Sequence, residues 1–338
     1  MDVEEFCRQS HVLVVVGKGG VGKTTVTAAL ALLAAGAGLD VLVVALDDSG
    51  DLPALFGHSE PFGYEEVVLA GGGEESLLRV PGSVRARVIT SRAALVEYLD
   101  DHGMRRVSRR LVDSGALDVV ATAIPGIEEV LVLGKVKQIE RAGSADLVLL
   151  DAPATGHALT FLTSPTGLAD AARAGPLRQQ AEQVVELLAD PTRCQALPVT
   201  LPEETPVNEL IETAFFLEDR TGVALGPVVV NGVFSLPEGL DADPGAAAAA
   251  AGVPAPAPEE AARLRHAALF RTARARAQAA ELERLGARLP LAQLRLPYLF
   301  RPALGPNEVG VLAEALGAQI ARLPAPARPG GGTRSAPR

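Results

Sequence analysis

The sequence predicts an α/β fold, a mainly parallel sheet flanked by helices on both faces with a helical insert. Three observations carry this. Short apolar runs recur at His11–Val16, Val41–Ala45 and Asp146–Asp151. Segments of helical composition separate them. The runs are continuously apolar instead of alternating, as strands covered on both faces are.

The first strand leads into Gly17-Lys18-Gly19-Gly20-Val21-Gly22-Lys23-Thr24-Thr25, and Val26–Leu33 behind it suits a helix. Strand, glycine loop and helix are the context of a phosphate-binding loop. The glycines let backbone N–H groups close around phosphate oxygens without Cβ clashes. The helix N-terminus adds roughly half a positive charge at the same place. Lys23 is placed for the β- and γ-phosphates and the Thr24 hydroxyl for Mg²⁺. Gly17, Gly19, Gly20, Val21, Gly22 and Thr25 complete the expected cradle, and ATP with Mg²⁺ is the expected ligand. By this reading the fold is that of a P-loop NTPase.

The same stretch also satisfies G-x-G-x-x-G through Gly17, Gly19 and Gly22, and Asp47 follows the second strand where a ribose contact is expected. An NAD-dependent oxidoreductase is therefore the rival. A triphosphate with Mg²⁺ needs the Lys23-Thr24 pair, whereas a dinucleotide does not. Lysine usage points the same way. Of 31 Lys+Arg only Lys18, Lys23, Lys135 and Lys137 are lysine, and two of these sit in the loop, where a compact ammonium on a flexible stem suits phosphate contact.

Further along, residues 57–84 are punctuated by Gly and Pro and read as loop with short elements. Arg85–Ile89 reads as a short strand, and Ser91 as the cap of a helix through Leu99. Met104–Arg141 has a helical pattern broken at Gly115 and Pro125-Gly126, giving an insert over about 91–143. Asp151 ends the next apolar strand. An aspartate there either holds the Mg²⁺ hydration shell or caps the following helix. Ala152-Pro153-Ala154-Thr155-Gly156-His157 reads as a turn that senses the γ-phosphate, although His157 taken alone reads equally as a surface histidine. Helices are expected near 166–190 and 206–221, and strands near Gln195–Thr200, Pro227–Asn231 and Leu291–Leu296. Residues 238–258, with the alanine run Ala246–Ala251, read as a surface linker, and 259–286 as a long helix. Residues 1–322 are expected to form one domain, with 323–338 a disordered tail.

Composition narrows the classes. A formal charge of −10 over 338 residues disfavours non-specific nucleic-acid binding. Met1–Glu5 is acidic and lacks the apolar core of a signal peptide. No apolar run approaches the ~18 residues of a membrane span, and the cytoplasm is the expected location. Cys7 and Cys194 are isolated, which argues against a cysteine-based zinc clamp.

Gly17–Thr25 resembles the deviant P-loop of the ArsA/MinD/ParA class. Asp151–His157 is similar to the D-T-A-P-T-G-H switch II of the ArsA branch, with departures that include Ala152 and Ala154. Pro125–Glu129, Leu201–Glu209, Val229–Asn231 and Leu296-Pro297 extend the resemblance over about 11–320. The branch includes arsenical-pump ATPases and guided-entry ATPases that target tail-anchored proteins, and the chain is closest in pattern to the ArsA-like ATPases of actinobacteria. The resemblance implies a Mg²⁺-dependent ATPase with nucleotide at a dimer interface. The partner is a second copy or an ArsA-like paralogue, and hydrolysis is coupled to an open–closed change acting on a protein or membrane-protein client. It implies that Lys18 crosses the interface to the partner's nucleotide and that Asp47 orients the attacking water. It also implies that Asn231 reads the adenine edge and that backbone after Pro297 packs beside the base. On sequence alone Asn231 reads equally as a strand-end turn residue.

The departures limit this. The family's D-P-A-H-S switch I is here Asp47-Asp48-Ser49-Gly50-Asp51, which leaves open slow hydrolysis or a nucleotide-gated binding module. A ParA/MinD-type positioning ATPase is a further alternative, which the acidic charge and the Pro/Gly/Arg tail fit poorly. Two cysteines leave no arsenite site and no C-x-x-C, and Met1 and Met104 are the only methionines for a client groove. Apolar residues between 94 and 139 either line such a groove or pack the insert. Arg105, Arg106, Arg109 and Arg110 either meet an acidic partner or lipid headgroup or form a solvated face.

Overall fold

The fold is given by a computed structural model that describes residues 1–46, 51–73, 78–114 and 125–324. Its strands are β1 (Val12–Val16), β2 (Asp40–Ala45), β3 (Val67–Ala70), β4 (Ser83–Val88), β5 (Leu147–Asp151), β6 (Cys194–Thr200), β7 (Ala224–Leu225), β8 (Val228–Val233) and β9 (Gln293–Pro297). The helices are α1 (Val3–Cys7), α2 (Lys23–Gly36), α3 (Asp51–Leu55), α4 (Ser91–Asp101), α5 (Arg105–Ser114) and α6 (Ile127–Ala142). They continue with α7 (Thr155–Ala171), α8 (Pro176–Ala189), α9 (Glu204–Thr221), α10 (Pro244–Ala250), α11 (Pro258–Arg288) and α12 (Pro306–Ile320).

The strands form one sheet in the order β3-β4-β2-β5-β1-β6-β8-β9, with β7 beside β6. Every pairing is parallel except β3 with β4. The expected α/β architecture is therefore present. The continuous apolar runs have a simple cause: alternate residues serve two cores. Leu13 and Val15 of β1, Val41 and Val43 of β2, and Leu147 and Leu149 of β5 join the core with α2 and α12. Val12, Val14, Val16, Leu42, Val44, Val148 and Leu150 join the opposite core with α4, α6, α7 and α8. A strand with no solvent face has no polar alternation to show.

The connections position the site. From β1 the chain runs through α2 to β2 on one side, and from β5 through α7 and α8 to β6 on the other. Parallel α/β sheets open a crevice outside the strands' carboxyl ends where connections diverge. Val15 lies in register with Asp151, and so does Ala45, which brings the glycine loop, the strand-end aspartate and the exit of β2 to one edge.

Several expectations change. The N-cap of α4 is Thr90, whose side chain accepts from the Ala93 amide; Ser91 is the first helical residue. Residues 155–157 are the first turn of α7, so the helix expected from 166 starts at 155. The stretch read as linker holds α10, because Asp243 caps the Gly245 and Ala246 amides and alanine is the best helix former. Helices α1 and α12 were not anticipated. α12 starts with Pro306 and buries Val309, Leu312, Leu316 and Ile320. Of the insert's apolar residues, Leu95, Leu99, Leu131, Val136 and Ile139 pack into the core and build the insert, whereas Val107 and Val112 of α5 are exposed. The tail lies outside the described residues from 325 onward, as do 115–124 of the insert. Among the described residues no helix is long and apolar enough to cross a membrane.

Candidate functional site

β1 delivers the loop and α2 receives it. Gly17 fits only because it has no side chain: a Cβ there would lie 2.3 Å from the Val199 carbonyl oxygen of β6. Gly22 is constrained twice, by a φ of +87° and by the Asn231 Nδ2, which a Cβ would approach to 2.3 Å. No side chain caps the N-terminus of α2, and its first turn holds no acidic residue. Its amides therefore meet the loop without a competing carboxylate, which is the arrangement that binds an anion.

Beneath the loop, Thr24 Oγ1 donates to Asp151 Oδ2 at 2.6 Å. This brings together two residues 127 apart in sequence, one from the first turn of α2 and one from the end of β5. A hydroxyl and a carboxylate converging at a phosphate-binding loop are the hard oxygen ligands that Mg²⁺ prefers. Among the described residues no cluster of three or more His, Cys, Asp and Glu could hold a metal.

Lys23 Nζ approaches the Lys18 carbonyl at 3.4 Å. Lys18 itself reaches away from the loop, its Nζ 2.5 Å from Glu209 Oε1 on α9. A cleft of about 400 Å³ opens over Gly20, Gly22, Lys23, Thr24 and Thr25 and is also lined by Asp51, Leu55 and Leu304. That volume is in the range of small-molecule sites.

The segment after β5 lies beside the loop, since a methyl at Gly19 would sit 3.5 Å from the Ala154 Cβ. Ala152 is buried, Pro153 half-buried, and Gly156 and His157 exposed in the first turn of α7, which Thr155 opens. Asn231 meets the loop from the other side: its Nδ2 donates to the Val21 carbonyl at 3.0 Å. Pro297 ends β9 opposite Val233, and the Tyr298 amide donates to the Val233 carbonyl. Asp47, the candidate for orienting water, lies outside the described residues with 48–50.

Some residues were given no role by sequence. Glu209, Asp51 and Leu304 reach the site through the fold alone. Phe234, Tyr298 and Phe300 cluster just beyond Pro297, with centroids 4.7–5.4 Å apart and the Arg271 guanidinium over Phe300. The scarcity of aromatics, nine Phe and three Tyr in the chain, was the one available signal. Neither cysteine belongs to the site. Burial pushes both the Cys7 and Cys194 thiols up to about 12, which keeps them neutral.

The loop and Asp151 fall within residues 10–174, which match the family profile described as anion-transporting ATPase. Over these residues the chain matches the ArsA-like ATPase family. It is 34% identical to ATPase BagA of Mycobacterium tuberculosis over 224 residues, 64% of this chain and 63% of the relative. It is 28% identical to the arsenical pump-driving ATPase of Escherichia coli over 252 residues, 70% of this chain and 37% of the relative. It is 32% identical to ATPase get3 of Schizosaccharomyces japonicus over 172 residues, 48% of this chain and 49% of the relative. The chain thus spans less than two thirds of the length of these ArsA-like relatives.

Proposed function

We propose that this chain is a Mg²⁺-dependent ATPase that works as a pair of ArsA-like subunits, with ATP at their interface. The observation that carries the proposal is the Thr24–Asp151 contact under an uncapped helix N-terminus. In this reading the loop amides and Lys23 bind the phosphates, and Thr24 and Asp151 hold the metal, Asp151 through water. When bound, Mg²⁺ neutralises charge on the β- and γ-phosphate oxygens. Asp47 orients the attacking water, and residues 152–157 relay the loss of the γ-phosphate into α7. Asn231 fixes the loop through Val21 and presents its remaining amide surface to the base beside Pro297.

Lys18 is assigned to the partner's nucleotide. A cation supplied in trans acts as an arginine finger does, an effect worth ~10³–10⁵ in rate. It makes turnover depend on subunit closure, and closure is the step that acts on a protein or membrane-protein client. The names of the relatives include pump driving, but Cys7 and Cys194, both buried and on different elements, offer no pair of thiolates for arsenite.

The test is nucleotide-induced stabilisation together with phosphate release. ATP with Mg²⁺ is expected to raise Tm and to be hydrolysed, NAD to do neither, and Thr24→Ala to lose the Mg²⁺-dependent part of the shift. A shift of equal size in Thr24→Ala, or one produced by NAD alone, would contradict the proposal.

A further inference from the structure

The lysine assigned to the partner's nucleotide is already engaged within its own chain. Lys18 Nζ lies 2.5 Å from Glu209 Oε1, across 191 residues of sequence. The fold makes this contact, and its carboxylate end is firmly seated. Lys18 is on the loop. Glu209 is on α9, whose buried face is fixed by Val207, Leu210 and Ile211. The start of α9 is fixed from outside by Arg284, which donates to Asn208 Oδ1 and to the Glu204 carbonyl. The carboxylate is therefore held in place and the ammonium comes to it.

We propose that Glu209 is a positioning residue that holds Lys18 in a resting conformation, so that the same ammonium must leave Glu209 to reach the partner's phosphates. This rests on Lys18 acting in trans. A carboxylate 2.5 Å from this Nζ competes with a partner's phosphates for its charge and its donors. Ion pairing in cis thus competes with completion of the site in trans.

The size of the competition follows from exposure. The two side chains are 36% and 37% exposed, so water and salt screen the pair and it acts as a bias, not a lock. A bias of this kind lowers the competent fraction of chains by about two- to fivefold, and it lowers apparent affinity for the closed state by the same factor. The polyanionic triphosphate of a partner overcomes it, whereas a lone chain or an empty partner does not. Glu209 in this way suppresses closure of subunits that carry no nucleotide.

With only four lysines in the chain, the resting state is directly readable. Nucleotide-free protein is treated briefly with an amine-acylating reagent and modification is quantified peptide by peptide. Lys135, paired with Glu97, and Lys137, buried against Gln180 and Gln183, serve as internal references. Glu209→Gln is expected to raise Lys18 modification about two- to fivefold over these references, and to raise phosphate release at limiting protein concentration by a similar factor. Added salt should narrow both differences. Glu209→Asp, with a shorter reach, should fall between, and it keeps the test open should the glutamine variant fold poorly. Unchanged Lys18 modification in both variants, with Lys18→Ala slow as expected, overturns the latch and leaves the trans role standing. Normal turnover by Lys18→Ala overturns the trans role itself.

Discussion

Gly22 and Asn231 hold each other's conformations. The glycine has a left-handed φ and no room for a Cβ beside the Asn231 amide, while that amide donates to Val21 in the same loop. Gly22→Ala is expected to cost at least ~1–2 kcal/mol from φ alone and to abolish the ATP-induced rise in Tm. Asn231→Ala should cost about 1 kcal/mol by leaving the Val21 carbonyl without that donor. It should also relieve the contact that the new methyl makes, so the double variant is less destabilised than the sum. Additive losses in urea denaturation would show that the two residues do not act through one another. At this scale the site was readable wherever chemistry and spacing were local. The glycines, Lys23 and Thr24 lie within one short loop, and Asp151 ends an apolar run. Leu304 has no such local pattern, and although Glu209 ends the Leu201–Glu209 stretch, only the packing of α9 brings it to Lys18.

The Arg193–Glu140 clamp ties two elements around the sheet. Arg193, just before β6, donates through Nε and Nη2 to the two carboxylate oxygens of Glu140 on α6, at 2.9 and 2.7 Å. Its hydrogen bonds hold the Glu140 carboxyl below the usual carboxylate range. The Glu140 side chain is only 9% exposed, so removing Arg193 leaves a nearly buried charge. Arg193→Ala is expected to lose about 2–3 kcal/mol in urea denaturation, with ATP affinity of the folded protein unchanged. Because the Glu140 pKa is depressed, the clamp's contribution is complete above the carboxyl's unfolded pKa and is lost as pH falls below it. A variant as stable as the parent would mean that α6 is held by its apolar face alone. Elements were legible from sequence according to how they are stabilised. Strands β1, β2 and β5 announce themselves because they are covered on both faces. α10 did not, because an alanine run between proline and glycine resembles low complexity until Asp243 is seen to cap it. Residues 155–157 did not, because a Gly-His pair after proline reads as a turn, whereas Ala154 to Ala158 close helical hydrogen bonds.

On the scale of the whole molecule, the sheet order puts the loop at the sheet's centre and its two lysines at different tasks. Lys23 stays over the chain's own phosphate cradle. Lys18 reaches α9, where it pairs with Glu209. In this acidic chain Arg105, Arg106, Arg109 and Arg110 are exposed on α5 and form a basic face on the insert. The sequence pattern made the loop's class legible, but which contact Lys18 makes at rest is a property of the fold. The central claim is that one chain supplies half of an active site. Its most direct test mixes two inactive variants. Lys18→Ala retains a nucleotide cradle but lacks the cation for its partner, and Lys23→Ala lacks the cradle but retains Lys18. Phosphate release by the equimolar mixture well above either variant alone is the predicted result. A mixture no faster than the sum of its two components, once exchange of subunits has been verified, would contradict it.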